Sequence, residues 1–264
     1  MNFDIKIAKK VDLEGVLKQL RRQGVANAWS IQDLTVWPNQ SKFFYVQNSD
    51  QFSYLLISGH PASHGHPTLI ANGNEDAVKS LFISAELHEP FVVRETPAHL
   101  LPVIEELYPD AKVFLEQRMD VSRNTYIPQH TGNARKLSGD DANYLAKFFG
   151  APPQAAERFK GWLNGAKLFL GIFVEDRLAA IGSSMVSIPE AWNLVSIETH
   201  KDFRRRGLAT EITSALVSHA LEFTQIVTVT VVKSNLPAVH TYEKIGFDFA
   251  EDRIWVDNGT GSKP

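Results

Sequence analysis

The clearest chemical feature of the sequence is a basic turn suited to binding an anion. The segment His200–Thr210 (HKDFRRRGLAT) places a lysine and three consecutive arginines just before Gly207, and a helical pattern begins at Leu208. Glycine lets the backbone turn tightly and approach a ligand closely. The first amides of the following helix have no intrahelical partners and lie at the positive end of its dipole. This pattern predicts a phosphate or pyrophosphate site; a solvated basic turn with an ordinary glycine is the alternative.

A second group of residues could supply a proton and a hydrogen-bonding amide. Asn235 precedes Leu-Pro at the start of a short predicted helix, which also carries Tyr242 in the sequence YEKIGF. A tyrosine with an ordinary pKa near 10 stays protonated at neutral pH, so it can act as a general acid. Asn235 can instead cap the helix, and Tyr242 can be a packing residue. Gly246 is expected to end the helix, and Phe247 is expected in the core.

Together, these segments resemble the GNAT (Gcn5-related N-acetyltransferase) superfamily over about residues 133–256. Arg204–Ala209 follows the family pattern R/Q-x-x-G-x-G/A, with Ala209 at the second glycine position as the pattern allows. Residues 235–247 follow the pattern N-x-x-A-x-x-x-Y-E-K-x-G-F. The second pattern is the more specific of the two, since strand–glycine–helix turns are common.

The resemblance implies acetyl-CoA (coenzyme A) as co-substrate and no metal. The pyrophosphate would bind backbone amides of the basic turn, and the pantetheine arm would insert between the fourth and fifth strands of the domain, which splay apart. Asn235 would lie beside pantetheine, and Tyr242 would protonate the departing CoA thiolate. The implied donor-binding residues are Ile197 and Thr199 (through their backbone groups), Arg204, Arg205, Arg206, Gly207, Leu208, Ala209, Thr210 and Asn235.

Acylation of an amine also requires a base, because the nucleophile must lose a proton to a side chain or through water. Glu198 lies on the strand before the basic turn, where the family often places a carboxylate or a water-holding group. Strand alternation puts Glu198 and His200 on one face, opposite Ile197 and Thr199. Glu198 is therefore the predicted base or acceptor-binding group, with His200 a weaker candidate. A solvent-facing position on an open sheet is the alternative.

The elements around these motifs predict a mixed α/β (α+β) fold. Three antiparallel strands followed by strand–helix–strand–helix–strand give a mainly antiparallel twisted sheet flanked by helices. The run QIVTVTVV is typical of a strand buried on both faces. The predicted helices are Asp140–Phe149, Pro153–Leu163, Leu208–Phe223 and Asn235–Ile245, and the strands Lys167–Glu175, Leu178–Ile188, Trp192–His200, Gln225–Val232 and Phe247–Val256.

The first half has a similar order of elements without either motif. Its predicted helices are Asp12–Arg22, Glu75–Ala85 and Pro97–Tyr108, and its strands Phe43–Gln47, Phe52–Ser58, Thr68–Ala71, Phe91–Glu95 and Lys112–Val121. This layout resembles the tandem GNAT proteins of the glycine N-acyltransferase-like branch. The polar segment Ser122–Leu137 is predicted as a linker. We therefore predict a degenerate GNAT-like domain, 1–125, and a catalytic GNAT acetyltransferase domain, 126–264, with one CoA site in the second.

Composition narrows the class of protein. The 264 residues include 27 Lys+Arg and 30 Asp+Glu, which gives a formal net charge of −3 with the histidines neutral. A net charge so close to zero argues against a nucleic-acid partner. The absence of cysteine excludes disulfides, zinc–thiolate sites and an acyl-cysteine intermediate. No stretch is apolar enough for a membrane span or signal peptide, which favours a cytoplasmic protein without a membrane partner. His60, His64 and His66 suggest a metal, but no carboxylate lies close in sequence, so no metal site is predicted.

The sequence thus favours an acyl-CoA-dependent N-acyltransferase (EC 2.3.1 class). It would transfer an acetyl group from acetyl-CoA to a primary amine of a small molecule or amino acid by direct attack, as a monomer or homodimer. The alternative is a CoA-binding sensor or interaction module with little catalysis. Release of free thiol in the presence of amines would separate the two.

Overall fold

The computed structural model describes residues 3–48, 51–59, 66–87, 90–129, 131–165 and 168–264. Its helices are α1 (Leu13–Arg22), α2 (Ala28–Val36), α3 (Glu75–Ser84), α4 (Leu101–Leu107), α5 (Ala142–Phe148), α6 (Ala156–Gly165), α7 (Leu208–Ala220) and α8 (Leu236–Ile245). Its strands are β1 (Lys6–Ile7), β2 (Lys42–Gln47), β3 (Phe52–Ile57), β4 (Thr68–Asn72), β5 (Phe91–Pro97), β6 (Lys112–Ser122), β7 (Ala134–Lys136), β8 (Leu168–Val174), β9 (Arg177–Ser187), β10 (Trp192–Thr199), β11 (Ile226–Val232) and β12 (Asp248–Asn258). The predicted mixed α/β fold is confirmed.

The chain forms two compact units that are interleaved in sequence. Unit 1 contains Met1–Arg118, Thr230–Ser234 and Ala250–Pro264, and unit 2 contains Met119–Val229 and Asn235–Phe249. Most of the last strand of the chain, β12, therefore belongs to the N-terminal unit. This assignment could not be read from local sequence patterns, because strand pairing between distant segments leaves no periodic signal.

Unit 1 has the strand order β1-β2-β3-β4-β5-β12-β6. Strands β4 and β5 pair in parallel, and β5 pairs antiparallel with β12. Helices α3 and α4 cover one face, where apolar side chains including Val93, Ile254 and Val256 form the core. Arg253 alternates with these residues along β12 and bonds the carbonyl of Ala26, just before α2, so α2 lies on the opposite face.

Unit 2 has the strand order β11-β10-β9-β8-β7. Among its described residues, β10 and β11 pair in parallel, whereas β7 and β8, β8 and β9, and β9 and β10 pair antiparallel. Helices α5 and α6 pack with Phe169 and Ile181 in one apolar cluster. Helix α7 packs on the other face, where a Cβ built at Gly182 would lie 2.7 Å from Leu216 and 3.5 Å from Ile197.

The polar segment Ser122–Leu137, predicted as a linker, belongs to unit 2 and contains β7. Tyr126 Oη donates to Ser214 O on α7 at 2.9 Å, and Gln129 N donates to Ser214 Oγ at 2.8 Å. Ile127 N donates to Ile245 O at 2.8 Å. Gly246 has φ 95°, and a Cβ there would lie 1.9 Å from Thr125 O. Glycine is required at this position by both the left-handed backbone and the close approach of that carbonyl.

None of the helices in the described part of the chain combines the length and apolar character needed to cross a bilayer.

Candidate functional site

The basic turn has the left-handed backbone of a tight strand-to-helix connection. After β10, a short 3₁₀ turn spans Lys201–Phe203, and Arg205 and Gly207 then adopt φ values of 61° and 76°. Glycine adopts this conformation freely, whereas for an arginine it costs about 1–2 kcal/mol. Non-glycine residues held in this region cluster at ligand-binding sites, because a fixed loop shape is part of how such sites work.

The turn leaves the amides at the start of α7 available for a ligand. The first hydrogen bond of the helix runs from Glu211 N to Gly207 O at 3.0 Å, and no side chain of the described residues caps this end. Apart from its neighbours in the chain, no atom of the described residues lies within 4 Å of a Cβ built at Gly207. The amide hydrogens of the three intervening residues can therefore point at an anion, and the positive end of the helix dipole supports its binding. These three residues are Leu208, Ala209 and Thr210.

The three arginines of the turn are exposed but differ in their contacts. Arg204 Nε donates to Thr199 O at 3.4 Å, and Arg206 lies over the Phe203 ring at 5.7 Å from its centroid. No ion pair or hydrogen bond of the Arg205 side chain is found in the described part of the chain. Arg205 is therefore the arginine that can contact a phosphate without giving up an existing interaction.

Strands β10 and β11 separate just before the turn. Among the described residues, they pair only from Trp192 opposite Val227 to Leu194 opposite Val229. Beyond that point, a register shift in the β9–β10 pairing centres on Ser196, which has φ 54°. Ser183 Oγ donates to Val195 O at 3.3 Å and stabilises this bulge. The predicted splay of the fourth and fifth strands of the domain is confirmed.

The end of β10 presents hydrogen-bonding groups that no neighbouring strand uses among the described residues, although the carbonyl of Thr199 accepts from Arg204 Nε. His200 N donates to Ala179 O at 2.9 Å, and Thr199 lies opposite Ala180. Because bonding direction alternates along an antiparallel pair, the N–H and C=O of Thr199 point away from β9, on the side where β11 has diverged. The Thr199 hydroxyl is also buried without a hydrogen-bond partner. The backbone N–H and C=O of Thr199 can therefore bond the amide groups of a pantetheine arm. Ile197, two residues earlier on β10, has the same backbone orientation.

Tyr242 is buried on α8, which packs against α7. Its ring contacts Phe247 with a centroid separation of 5.6 Å. Burial raises the pKa of its phenol to about 12. No described residue hydrogen-bonds its hydroxyl, so Tyr242 is a protonated donor without a protein acceptor. The structure also accounts for Gly246, whose N–H donates to Glu243 O at 3.0 Å as α8 ends.

Asn235 caps α8. Its side-chain oxygen accepts from Ala238 N at 3.4 Å, and the residue is exposed. The capping role foreseen from Leu-Pro is thus present. The same side chain keeps its amide NH₂ without a partner among the described residues, so contact with a second molecule is compatible with capping.

Glu198 and His200 lie on the face of the sheet that α5 and α6 cover. Glu198 is opposite Ile181 of that apolar cluster, and the His200 ring is 5.8 Å from that of Phe148. Although Glu198 as a residue is exposed, partial burial of its carboxyl raises its pKa, against the opposing charge of Arg204. His200 Nδ1 accepts from Asp202 N at 3.3 Å and so caps the 3₁₀ turn. No described residue makes a hydrogen bond or ion pair with the Glu198 carboxylate, whereas the His200 ring already accepts a bond from Asp202.

Sequence patterns did not indicate the bulge at Ser196 or the role of Ser183. A serine in a β-strand carries no positional signal, and a register shift becomes visible only when both strands are paired. Of the three histidines that were considered as metal ligands, His60 and His64 lie outside the described residues. No group of three or more metal-binding side chains occurs among the residues that the structure covers.

Residues 169–256 match the family model described as FR47-like protein. Comparison with curated proteins at the level of sequence finds no match. Among solved structures, a Drosophila protein superposes with a TM-score of 0.73 at 13% identity, covering 99% of this chain and 100% of its own. A tandem GNAT protein from the clavulanic acid biosynthesis pathway gives 0.62 at 12% identity, covering 98% and 100%. A GCN5-related N-acetyltransferase from Sphaerobacter thermophilus gives 0.62 at 11%, covering 99% and 98%.

These structural similarities extend over nearly the whole chain, including the N-terminal half, which has neither sequence motif. The family model covers the segment that contains both the basic turn and the Asn235–Phe247 motif. The predicted resemblance is confirmed: the chain has the fold of the GNAT superfamily, and its residues 169–256 carry the FR47-like sequence pattern.

Proposed function

We propose that the protein is an N-acyltransferase that moves an acetyl group from acetyl-CoA to a primary amine of a small molecule or amino acid. The observation that carries this proposal is the uncapped start of α7 beneath the exposed arginine run, next to strands that have separated. The catalytic machinery would lie within the predicted domain of residues 126–264. An anion site and an adjacent cleft together suit a donor with a diphosphate and an extended amide-containing arm.

In the proposed reaction, the amine nitrogen attacks the thioester carbonyl, a C–N bond forms and the C–S bond breaks. Glu198, directly or through a water molecule, removes the proton that the amine loses. Tyr242 gives its proton to the departing sulfur, so that free thiol leaves. The N–H and C=O of Thr199 and the amides of Leu208–Thr210 hold the donor in place. Fixing both reactants in one geometry accounts for a large part of such catalysis.

Charge reversal at Arg205 tests the donor site. Arg205→Glu is expected to weaken CoA binding at least about tenfold, because a carboxylate would face the diphosphate. Arg205→Gly should weaken it less, since glycine adopts φ 61° without strain and only the positive charge is lost. Isothermal titration with CoA measures both variants. Arg158→Glu on α6 is the control; equal affinities for Arg205→Glu and the wild type would remove the diphosphate from this turn.

The pH dependence of the reaction tests the base. Because partial burial raises the pKa of Glu198, the carboxyl is protonated and inactive as a base at pH values below that raised pKa. We expect kcat/KM to rise with increasing pH as Glu198 loses its proton. The midpoint of this rise should lie above 4.5, the ordinary pKa of a glutamate. Glu198→Gln should lose this rise and most of the activity while keeping CoA affinity. An unchanged pH profile in the variant would assign the base elsewhere.

Unit 1 is built differently at the position that corresponds to the basic turn. Helix α3 follows β4 as α7 follows β10, but Asn74 caps it by accepting from Asp76 N at 3.1 Å and Ala77 N at 3.3 Å. Its first turn is acidic, with Glu75 and Asp76. Ala71 N donates to Thr96 Oγ1 at 3.1 Å, which joins β4 and β5 where a cleft would open. Both features oppose the binding of a diphosphate donor.

We therefore expect one CoA per chain. Equilibrium titration of the full-length protein should give a stoichiometry of about one, and Arg205→Glu should weaken that single event. A second event of comparable affinity that persists in Arg205→Glu would contradict this expectation.

The exposure of Glu198 favours one alternative, a CoA-binding sensor or interaction module with little catalysis. A panel of amines with acetyl-CoA and a thiol reagent separates the two functions, because only the enzyme releases free thiol in an amine-dependent manner.

A further inference from the structure

Four side chains on α2, β5 and β12 of unit 1 carry buried polar atoms that lack a hydrogen-bond partner among the described residues. They are Trp29 (Nε1), Asp33 (both carboxylate oxygens), Arg94 (Nε) and Trp255 (Nε1). Asp33 is completely buried, and Trp29 is 4% exposed. Buried polar groups in proteins are nearly always hydrogen-bonded, so a local concentration of exceptions calls for an explanation.

The four side chains belong to the face of the sheet beneath α2. Trp29 and Asp33 are four residues apart and so share one side of that helix. The Arg94 guanidinium lies 3.9 Å from the centroid of the Trp29 ring, and its charge acts on Asp33. Trp255 is on β12, two residues from Arg253, so it shares the face that Arg253 presents toward α2.

A bulge in β5 creates this arrangement. Val93 pairs with Val256 and Thr96 pairs with Ile254, so Arg94 and Glu95 both lie opposite Trp255. Glu95 has φ 52°, a conformation that costs a non-glycine residue about 1–2 kcal/mol. Bulges re-aim side chains and are frequent next to binding and active sites.

Two neighbouring buried side chains in the same layer, Tyr54 and Arg253, have hydrogen-bond partners, unlike the atoms named above. Tyr54 Oη donates to Asn27 Oδ1 at 2.8 Å and lies 3.0 Å from Ser30 Oγ. Arg253 donates to the carbonyls of Glu95 and Ala26. Burial raises the pKa of Asp33, and although Ser58 and Arg94 are near enough to oppose this, neither carboxylate oxygen has a well-formed hydrogen bond.

We propose that Trp29, Asp33, Arg94 and Trp255 form a binding site in unit 1 for a small zwitterion with an amino group and a carboxylate. The Asp33 carboxylate would accept from the ammonium group. The Arg94 guanidinium and the indole N–H groups would donate to the ligand carboxylate, and such charge-assisted bonds are the strong ones. Arg94 and Trp255 are partly exposed as residues, so the cluster borders solvent there, while its unpartnered polar atoms are buried. The proposal does not depend on acetyl transfer.

Thermal denaturation and tryptophan fluorescence of the full-length protein test the site. The probes are L-alanine, L-serine and L-leucine, with ethylamine and propionate as the two halves of alanine. We expect at least one zwitterion to raise Tm and change the fluorescence, and neither half to do so at equal concentration. Trp255→Phe should abolish most of the fluorescence change, whereas Trp192→Phe in unit 2 should retain it.

Asp33→Asn separates a ligand site from a structural role. A buried carboxylate without a partner destabilises the free protein, so the variant should melt at or above the wild-type Tm without ligand. Its Kd for the zwitterion should increase at least about tenfold, because the charge that meets the ammonium is gone. If Asp33→Asn does not fold, Arg94→Gln provides the same comparison. No Tm shift with any zwitterion, or a shift that persists in these variants, would overturn the proposal.

Discussion

Tyr242→Phe is expected to lower kcat by about 10²- to 10⁴-fold, which is the usual contribution of a positioned general acid. The thiolate of CoA would then leave without a proton from the protein. Affinity for CoA should change little, because the proposed contacts with the donor come from the turn and from β10. The ring can stay in place, since it is buried and packs against Phe247, and the hydroxyl has no described partner to lose. Release of thiol at saturating acetyl-CoA measures the effect.

Tyr144→Phe is the matched control, because Tyr144 is exposed and makes an edge-on contact with Phe173 that does not involve its hydroxyl. The pH profile adds a second readout. Burial raises the pKa of Tyr242 to about 12, so the phenol keeps its proton through the accessible alkaline range. The wild type should show no loss of activity from this group below about pH 11. Activity of Tyr242→Phe within twofold of the wild type would show that another group, or water, protonates the sulfur.

Local sequence patterns predicted the parts of the candidate site that depend on local structure. The turn at Gly207, the cap at Asn235 and the glycine end of α8 each follow from the types of a few consecutive residues. The strands and helices that the sequence predicts lie within a few residues of the observed ones for the same reason, but the short strands β1 and β7 were not predicted. Helix α2 was missed because residues 28–34 are all buried, which leaves no polar face and hence no periodic signal.

The parts that could not be predicted depend on pairing between distant segments. The environment of Glu198 is set by the register shift at Ser196 and by Ile181 on the neighbouring strand. The polar layer beneath α2 brings Asp33 together with residues of β5 and β12. Charged residues in a strand ordinarily indicate an exposed face, so the sequence pattern of β12 gave no reason to expect a buried arginine.

Arg253→Met is expected to lower the free energy of unfolding by about 3–5 kcal/mol, as when one partner of a buried ion pair is removed. The arginine side chain is 1% exposed, and its Nε donates to Glu251 Oε1 at 2.9 Å. It also bonds the carbonyl oxygens of Glu95 and, at 3.1 Å, Ala26. Methionine fills similar volume but cannot donate, so the carbonyls of Glu95 and Ala26 would lose this donor inside unit 1, whereas Glu251 would keep its bond from Arg118.

Lys233→Met provides the control for this prediction. Lys233 pairs with Asp252, the neighbour of Arg253 on β12, at 2.9 Å, but both side chains are nearly half exposed. An exposed pair contributes at most about 1 kcal/mol, so this variant should unfold almost like the wild type in urea. Because Arg253 lies 227 residues from Ala26 in sequence, a large effect of Arg253→Met alone would mean that the N-terminal fold depends on the last strand of the chain. If both variants unfold within 1 kcal/mol of the wild type, the buried arginine does not hold unit 1 together.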